Sequence, residues 1–177
     1  MRATGIVRRI DELGRVVIPK EIRRTQRIHS GDALEIFTDG KGEVVFKKYS
    51  PLAELGEPAA AYADVLARRL GCGVAVCDRE KIVAAAGAGR SELLGEPLPP
   101  ELDALLARRK LYTASEEPLH RVALGSRWLL CAAPILVHGD IEGGVLLPGM
   151  RRDAVPDPET IRAAATAAEF LARWMGE

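Results

Sequence analysis

Residues 4–25, TGIVRRIDELGRVVIPKEIRRT, decide how this chain is read. Two runs rich in β-branched residues, 4–10 and 15–18, flank a turn around Gly14 and predict short strands. Pro19 fits the first turn of a following helix, where a missing N–H costs nothing, and Ile22 is the apolar contact among the polar positions from Lys20 to Arg24. Further on, residues 33–38 and 43–49 alternate apolar and polar side chains around Asp39-Gly40-Lys41-Gly42, a hairpin signal. The core candidates of this first unit are Ile6, Val7, Ile10, Val16, Ile18, Ile22, Ile28, Leu34, Ile36, Val44 and Phe46. So small a unit rarely buries enough apolar surface alone, and completion of its core by a second copy is expected.

Charge separates this unit from the rest. The 177 residues carry 25 basic and 25 acidic side chains, and a net charge of zero taken alone argues against a nucleic-acid partner. Residues 1–50, however, hold eleven basic against seven acidic groups, a net of +4, which leaves −4 for the remainder. Such asymmetry points to a basic module with an acidic partner. With 47% hydrophobic and 28% charged residues the chain reads as globular, not disordered. Cys72, Cys77 and Cys131 are odd in number and sit among apolar neighbours, as reduced core thiols of a cytoplasmic protein would. Charges arrive at Arg2, Arg8 and Arg9 without an apolar run, so no secretory leader is expected, and the longest apolar stretch, 128–137, is too short to span a membrane.

Pro51, Gly56 and Pro58 mark residues 51–58 as a linker, and a domain over 59–177 follows. Its elements are predicted as a helix at 59–70 with Tyr62, Val65, Leu66 and Leu70 on one face, and strands at 73–77 and 82–86 joined by Asp78-Arg79-Glu80-Lys81. A helix at 101–110 precedes three more strands, 120–124, 128–137 and 141–147, with turns at Gly125-Ser126 and His138-Gly139-Asp140. In the last helix Asp157 caps, Pro158 begins, and Ile161, Ala164, Ala165, Ala168, Leu171, Ala172 and Met175 form one stripe. Together these describe an α+β domain built on an antiparallel sheet of about five strands.

The opening stretch, continued through Gly31-Asp32-Ala33-Leu34-Glu35-Ile36-Phe37 to Lys47-Lys48-Tyr49-Ser50-Pro51, resembles the AbrB family of transition-state regulators. The remainder is similar to those family members that add a GAF-like domain, through Glu54-Leu55-Gly56, Tyr62-Ala63-Asp64, Cys77-Asp78-Arg79, Pro134-Ile135, Gly139-Asp140, Gly144 and Phe170-Leu171-Ala172-Arg173. The resemblance implies a mainly β, dimeric swapped-hairpin barrel over 1–50, with Arg8, Arg15, Arg23 and Arg24 facing double-stranded DNA and Arg9 and Lys20 beside them. It also implies a regulator that activates some sporulation genes and represses others, with the GAF-like domain serving assembly into a homotetramer, small-molecule sensing, or both. Guanidinium groups suit DNA because they bind phosphate and guanine edges through paired donors and stay charged. The chain has no helix-turn-helix or zinc-finger pattern, so recognition is expected to rest on backbone contacts and DNA deformability, with an A/T bias.

Other readings remain open at this point. Gly87-Ala88-Gly89-Arg90-Ser91 could wrap an anion, but Glu92 stands where a dinucleotide fingerprint needs glycine, and an ordinary loop accounts for it. His29, His120 and His138 are scattered, the cysteines lack metal spacing, and no resident metal or cofactor is expected. Some GAF domains reduce methionine sulfoxide with cysteines, which makes a thiol reductase one alternative to a protein with no catalytic residues. An antitoxin is the other, although antitoxins carry a disordered tail where this chain has periodic elements.

Overall fold

The computed structural model describes residues 4–116 and 121–176. The chain divides into two compact units, Met1–Tyr49 and Ser50–Glu177.

In the first unit α1 (Lys20–Thr25) follows Pro19, and β1 (Leu34–Thr38) pairs antiparallel with β2 (Val44–Lys48). Asp39 closes that hairpin: its Oδ1 accepts from the amides of Lys41 at 3.1 Å and Glu43 at 2.7 Å. Residues 4–10 and 15–18, expected as strands, have none assigned. The reason is physical: a strand exists where a neighbouring backbone pairs with it, and within one chain these segments meet no such neighbour. None of the eleven core candidates is buried; Ile18, Ile22, Ile28 and Leu34 are half-buried, while Val7 remains 83% and Ile10 71% exposed.

The second unit is layered. Residues 51–58, expected as a linker, hold α2 (Pro51–Glu54) and the start of α3 (Gly56–Leu70), because Leu52 is drawn fully into the core. There it meets Gly143, where a Cβ would stand 2.6 Å from Leu52 Cδ1 and 2.0 Å from the Cys77 carbonyl oxygen. The sheet comprises β3 (Val74–Cys77), β4 (Ile82–Ala86), β5 (Tyr112–Thr113), β6 (Ala123–Leu124), β7 (Arg127–Val137) and β8 (Asp140–Gly149). Its order is β4-β3-β8-β7-β5, with β6 also on β7, and every pairing is antiparallel. His120, placed at the head of one expected strand, lies outside the described residues. β7 and β8 are joined by His138 at φ 51° and Gly139 at φ 90°, the pair of positive φ values that a two-residue type I′ turn requires.

Alternation along the strands makes two cores. Val74, Val76, Cys131, Ala133, Ile135, Val145 and Leu147 face one side, where α3 and α6 (Pro158–Met175) cover them. Ala75, Cys77, Leu129, Ala132 and Leu146 face the other, beneath Leu93 of α4 (Arg90–Leu93) and Leu102, Leu105 and Leu106 of α5 (Pro100–Ala107). The residues that seat α3 on the sheet are Ala59, Ala63 and Ala67, not the larger side chains read from its periodicity; Val65 is 55% exposed. Small side chains allow the closest approach of helix to sheet, and they leave Tyr62 and Leu66 at the margin of the core. α6 begins as read, with Asp157 Oδ1 accepting from the Thr160 amide at 2.9 Å.

Candidate nucleic-acid interface

The six cations singled out by sequence are all exposed. Arg8 and Arg9 precede a tight turn, Arg15 follows it, and Lys20, Arg23 and Arg24 lie on α1, the last two in its final turn. The turn is locally built. Gly14 at φ +76° donates its amide to the Asp11 carbonyl at 3.0 Å, and the Asp11 amide donates to the Arg15 carbonyl at 3.0 Å. The Asp11 carboxylate then gathers three donors: the amides of Leu13 at 3.0 Å and Arg15 at 2.8 Å on Oδ1, and Arg15 Nε at 2.8 Å on Oδ2. The Arg15 amide and guanidinium hold the Asp11 carboxyl below its ordinary value, so it stays charged. Arg8 Nη1 donates to the adjacent Val7 carbonyl at 3.0 Å. The cations thus occupy three separate pieces of chain, with the helix anchored behind by the Ile28 amide on the Arg23 carbonyl at 2.7 Å.

Sequence reasoning counted Asp11 only as a negative charge; its role is written in the spacing Asp-x-x-Gly-Arg, a turn with an acceptor at its head. Two features of the second unit were also missed. Tyr62 and Phe170 stack at 4.8 Å with planes 9° apart, and Trp174 meets Phe170 edge-on at 5.4 Å. Phe170 and Trp174 are 41% and 47% exposed, so α3 and α6 carry an aromatic surface. Arg127, 7% exposed, reaches Glu92 Oε2 through Nε at 3.2 Å, and Ser126 Oγ donates to the same oxygen at 2.6 Å. That pair explains one of the two glycines of residues 87–91, while Gly87 is held by the Cys72 carbonyl, 2.5 Å from where its Cβ would stand. At Gly89, φ +93°, a Cβ would stand 2.1 Å from Arg127 Nε. The depression of about 450 Å³ lined by Gly87, Gly89, Arg90, Ser91 and Leu94 is open to solvent.

The thiols are poorly placed for redox chemistry. Cys77 and Cys131 are buried in the cores on opposite faces of the sheet, and Cys72 is half-buried. Burial pushes all three upward, Cys131 to about 12 and Cys77 further still. Among the described residues no group of three His, Cys, Asp or Glu side chains could hold a metal ion, and no helix is long and apolar enough to cross a membrane.

An exposed basic unit with an incomplete apolar core, followed by a GAF-like α+β unit, is the layout of a two-domain transcription regulator. Residues 54–176 match the family described as stage V sporulation protein T C-terminal, transcription factor, and residues 7–53 match that of MazE, a bacterial antitoxin of antidote-toxin recognition. The chain is 43% identical to stage V sporulation protein T of Bacillus subtilis (strain 168), over 99% of both chains. It belongs to the stage V sporulation protein T family of transcription factors. Its first unit is 59% identical to the N-terminal DNA recognition domain of the Bacillus subtilis regulator AbrB, in an alignment covering 29% of this chain and 94% of that one with a TM-score of 0.26. The type II free methionine-R-sulfoxide reductase of Thermoplasma acidophilum shares the fold of the second unit at 14% identity, covering 70% of this chain and 94% of that one with a TM-score of 0.53.

Proposed function

We propose that the chain binds double-stranded DNA in the cytoplasm as a regulator of sporulation genes, through a dimer of residues 1–50. The observation that carries this is the state of the first unit, which among its described residues buries no side chain and presents Arg8, Arg9, Arg15, Lys20, Arg23 and Arg24 to solvent. A second copy supplies what is lacking: a neighbour for the unpaired segments 4–10 and 15–18, and cover for Ile6, Val7, Ile10 and Val16. It also doubles the arginines to eight, counting Arg8, Arg15, Arg23 and Arg24 from each chain. If most of these displace counterions, log K falls against log salt with a slope of about −5 to −7. Fluorescence anisotropy of an A/T-rich duplex across a salt series tests this; a flat salt response would remove the phosphate-contact reading.

The second unit joins two such dimers into a tetramer through the aromatic surface of Tyr62, Phe170 and Trp174, and its signal molecule is the remaining variable. Catalysis has no part in this reading. The thiol-reductase alternative is disfavoured by neutral thiols on opposite sheet faces, and titration of the folded protein with a thiol reagent is expected to modify Cys72 slowly and to reach Cys77 and Cys131 only on unfolding. Rapid modification of Cys77 or Cys131 in the folded protein would bring the reductase back. The antitoxin alternative draws on the match of residues 7–53, but the chain that follows those residues is folded on two cores of its own, where an antitoxin carries a disordered segment that orders on its toxin.

A further inference from the structure

We propose that Asp11 is a positioning residue for DNA recognition: its carboxylate holds Arg15 by Nε and so presents the terminal amines of that guanidinium in one fixed orientation. This rests on the DNA-binding reading of the first unit. An aspartate beside a phosphate-binding face would ordinarily be unfavourable, since its charge repels the duplex. Its geometry gives it a different use. Oδ1 is occupied by the amides of Leu13 and Arg15, which fixes the carboxylate on the turn before any side chain meets it. Oδ2 is then aimed at Arg15 Nε, 2.8 Å away. The guanidinium has five N–H donors in a rigid fork, and holding one at Nε orients the other four without consuming them. Among the described residues the Arg15 terminal amines make no hydrogen bond. A surface arginine otherwise loses its rotamer freedom on meeting DNA; here part of that ordering is already in place. Gly14 is needed in the same device, because its positive φ lets the chain return so that Arg15 meets Asp11 twice, by backbone and by side chain.

The variant that separates this from simple charge is Asp11→Asn. An asparagine carbonyl keeps both amide bonds of the turn, while its NH2 faces Arg15 Nε donor to donor and releases the side chain. Charge alone predicts tighter binding, because one negative group per chain is gone. Positioning predicts binding of an A/T-rich duplex about fivefold to tenfold weaker, the combined loss of an exposed charged pair in each of two chains. In an Arg15→Ala background the same substitution should leave affinity unchanged or raise it. Equal or tighter binding by Asp11→Asn alone, or equal weakening in both backgrounds, overturns the proposal and leaves the DNA-binding reading intact. No binding by the wild type at low salt removes both. Should Asp11→Asn fail to fold, as circular dichroism would reveal, the wild type still gives an answer by nuclear magnetic resonance. A distinct Arg15 Nε–H signal in slow exchange with water supports the clamp, and rapid exchange contradicts it.

Discussion

Replacing Arg8, Arg15, Arg23 and Arg24 together by alanine is expected to lower affinity for an A/T-rich duplex by about three orders of magnitude or more at low salt, and to flatten the salt dependence toward zero. Their placement accounts for the size of the effect. All four are exposed, and they are distributed over the segment before the turn, the turn itself and the last turn of α1. None lies in a core that its loss would open, so the substitutions act on binding and not on folding. Each removes a permanently charged fork that can reach two phosphate oxygens or a guanine edge. Single substitutions at Arg15 or Arg23 should cost about thirtyfold or more, since both copies lose the contact and a good bidentate pair is worth about 1–3 kcal/mol. A quadruple variant that binds with the wild-type slope would show that other groups carry the interface, with Arg9 and Lys20 the first to consider.

The second large effect concerns assembly. Phe170→Glu combined with Trp174→Glu is expected to convert a tetramer into dimers and to weaken binding to a duplex carrying two sites by about a hundredfold, the loss of avidity when two linked modules are separated. Phe170 and Trp174 are 41% and 47% exposed on α6; Phe170 stacks on Tyr62 of α3 and Trp174 meets Phe170 edge-on, while Val65, also on α3, is 55% exposed. A cluster of large apolar side chains on two neighbouring helices is costly to leave in water and is the kind of surface that marks association. The sheet-facing side of α6 is made by Ala164, Ala167, Ala168 and Leu171, which the substitutions do not touch, so the unit should remain folded. Sedimentation of both proteins decides it. A wild type that is only dimeric at micromolar concentration, or a variant that stays tetrameric, contradicts this use of the aromatic surface.

Residues with strong local rules were legible in the sequence. Asp157 and Pro158 announce α6, the His138-Gly139 pair fixes the β7–β8 turn, and two short apolar runs joined by Asp78-Arg79-Glu80-Lys81 give β3 and β4 nearly to the residue. In the first unit the β1–β2 hairpin was legible, whereas the β-branched runs 4–10 and 15–18 acquire no partner within one chain, because a propensity for extended structure does not by itself supply a neighbouring backbone. Helix faces misled where size was taken for burial: the periodicity of α3 highlighted Tyr62, Val65, Leu66 and Leu70, whereas packing against a sheet selected Ala59, Ala63 and Ala67. The candidate interface was visible as positive charge and as family resemblance. Its geometry was not, since neither the clamp of Asp11 on Arg15 nor the reach of Arg127 past Gly89 to Glu92 leaves a periodic signal. Both are made by several donors converging on one carboxylate, and that convergence depends on backbone turns.

The central claim, that two copies of residues 1–50 form a DNA-binding surface, is tested most directly by sedimenting the full chain with a fluorescently labelled A/T-rich duplex at rising salt. The account predicts a fast-sedimenting complex containing at least two chains per duplex at low salt, which releases free duplex steeply as salt increases. Duplex that sediments alone at low salt beside a folded, dimeric or tetrameric protein would contradict it.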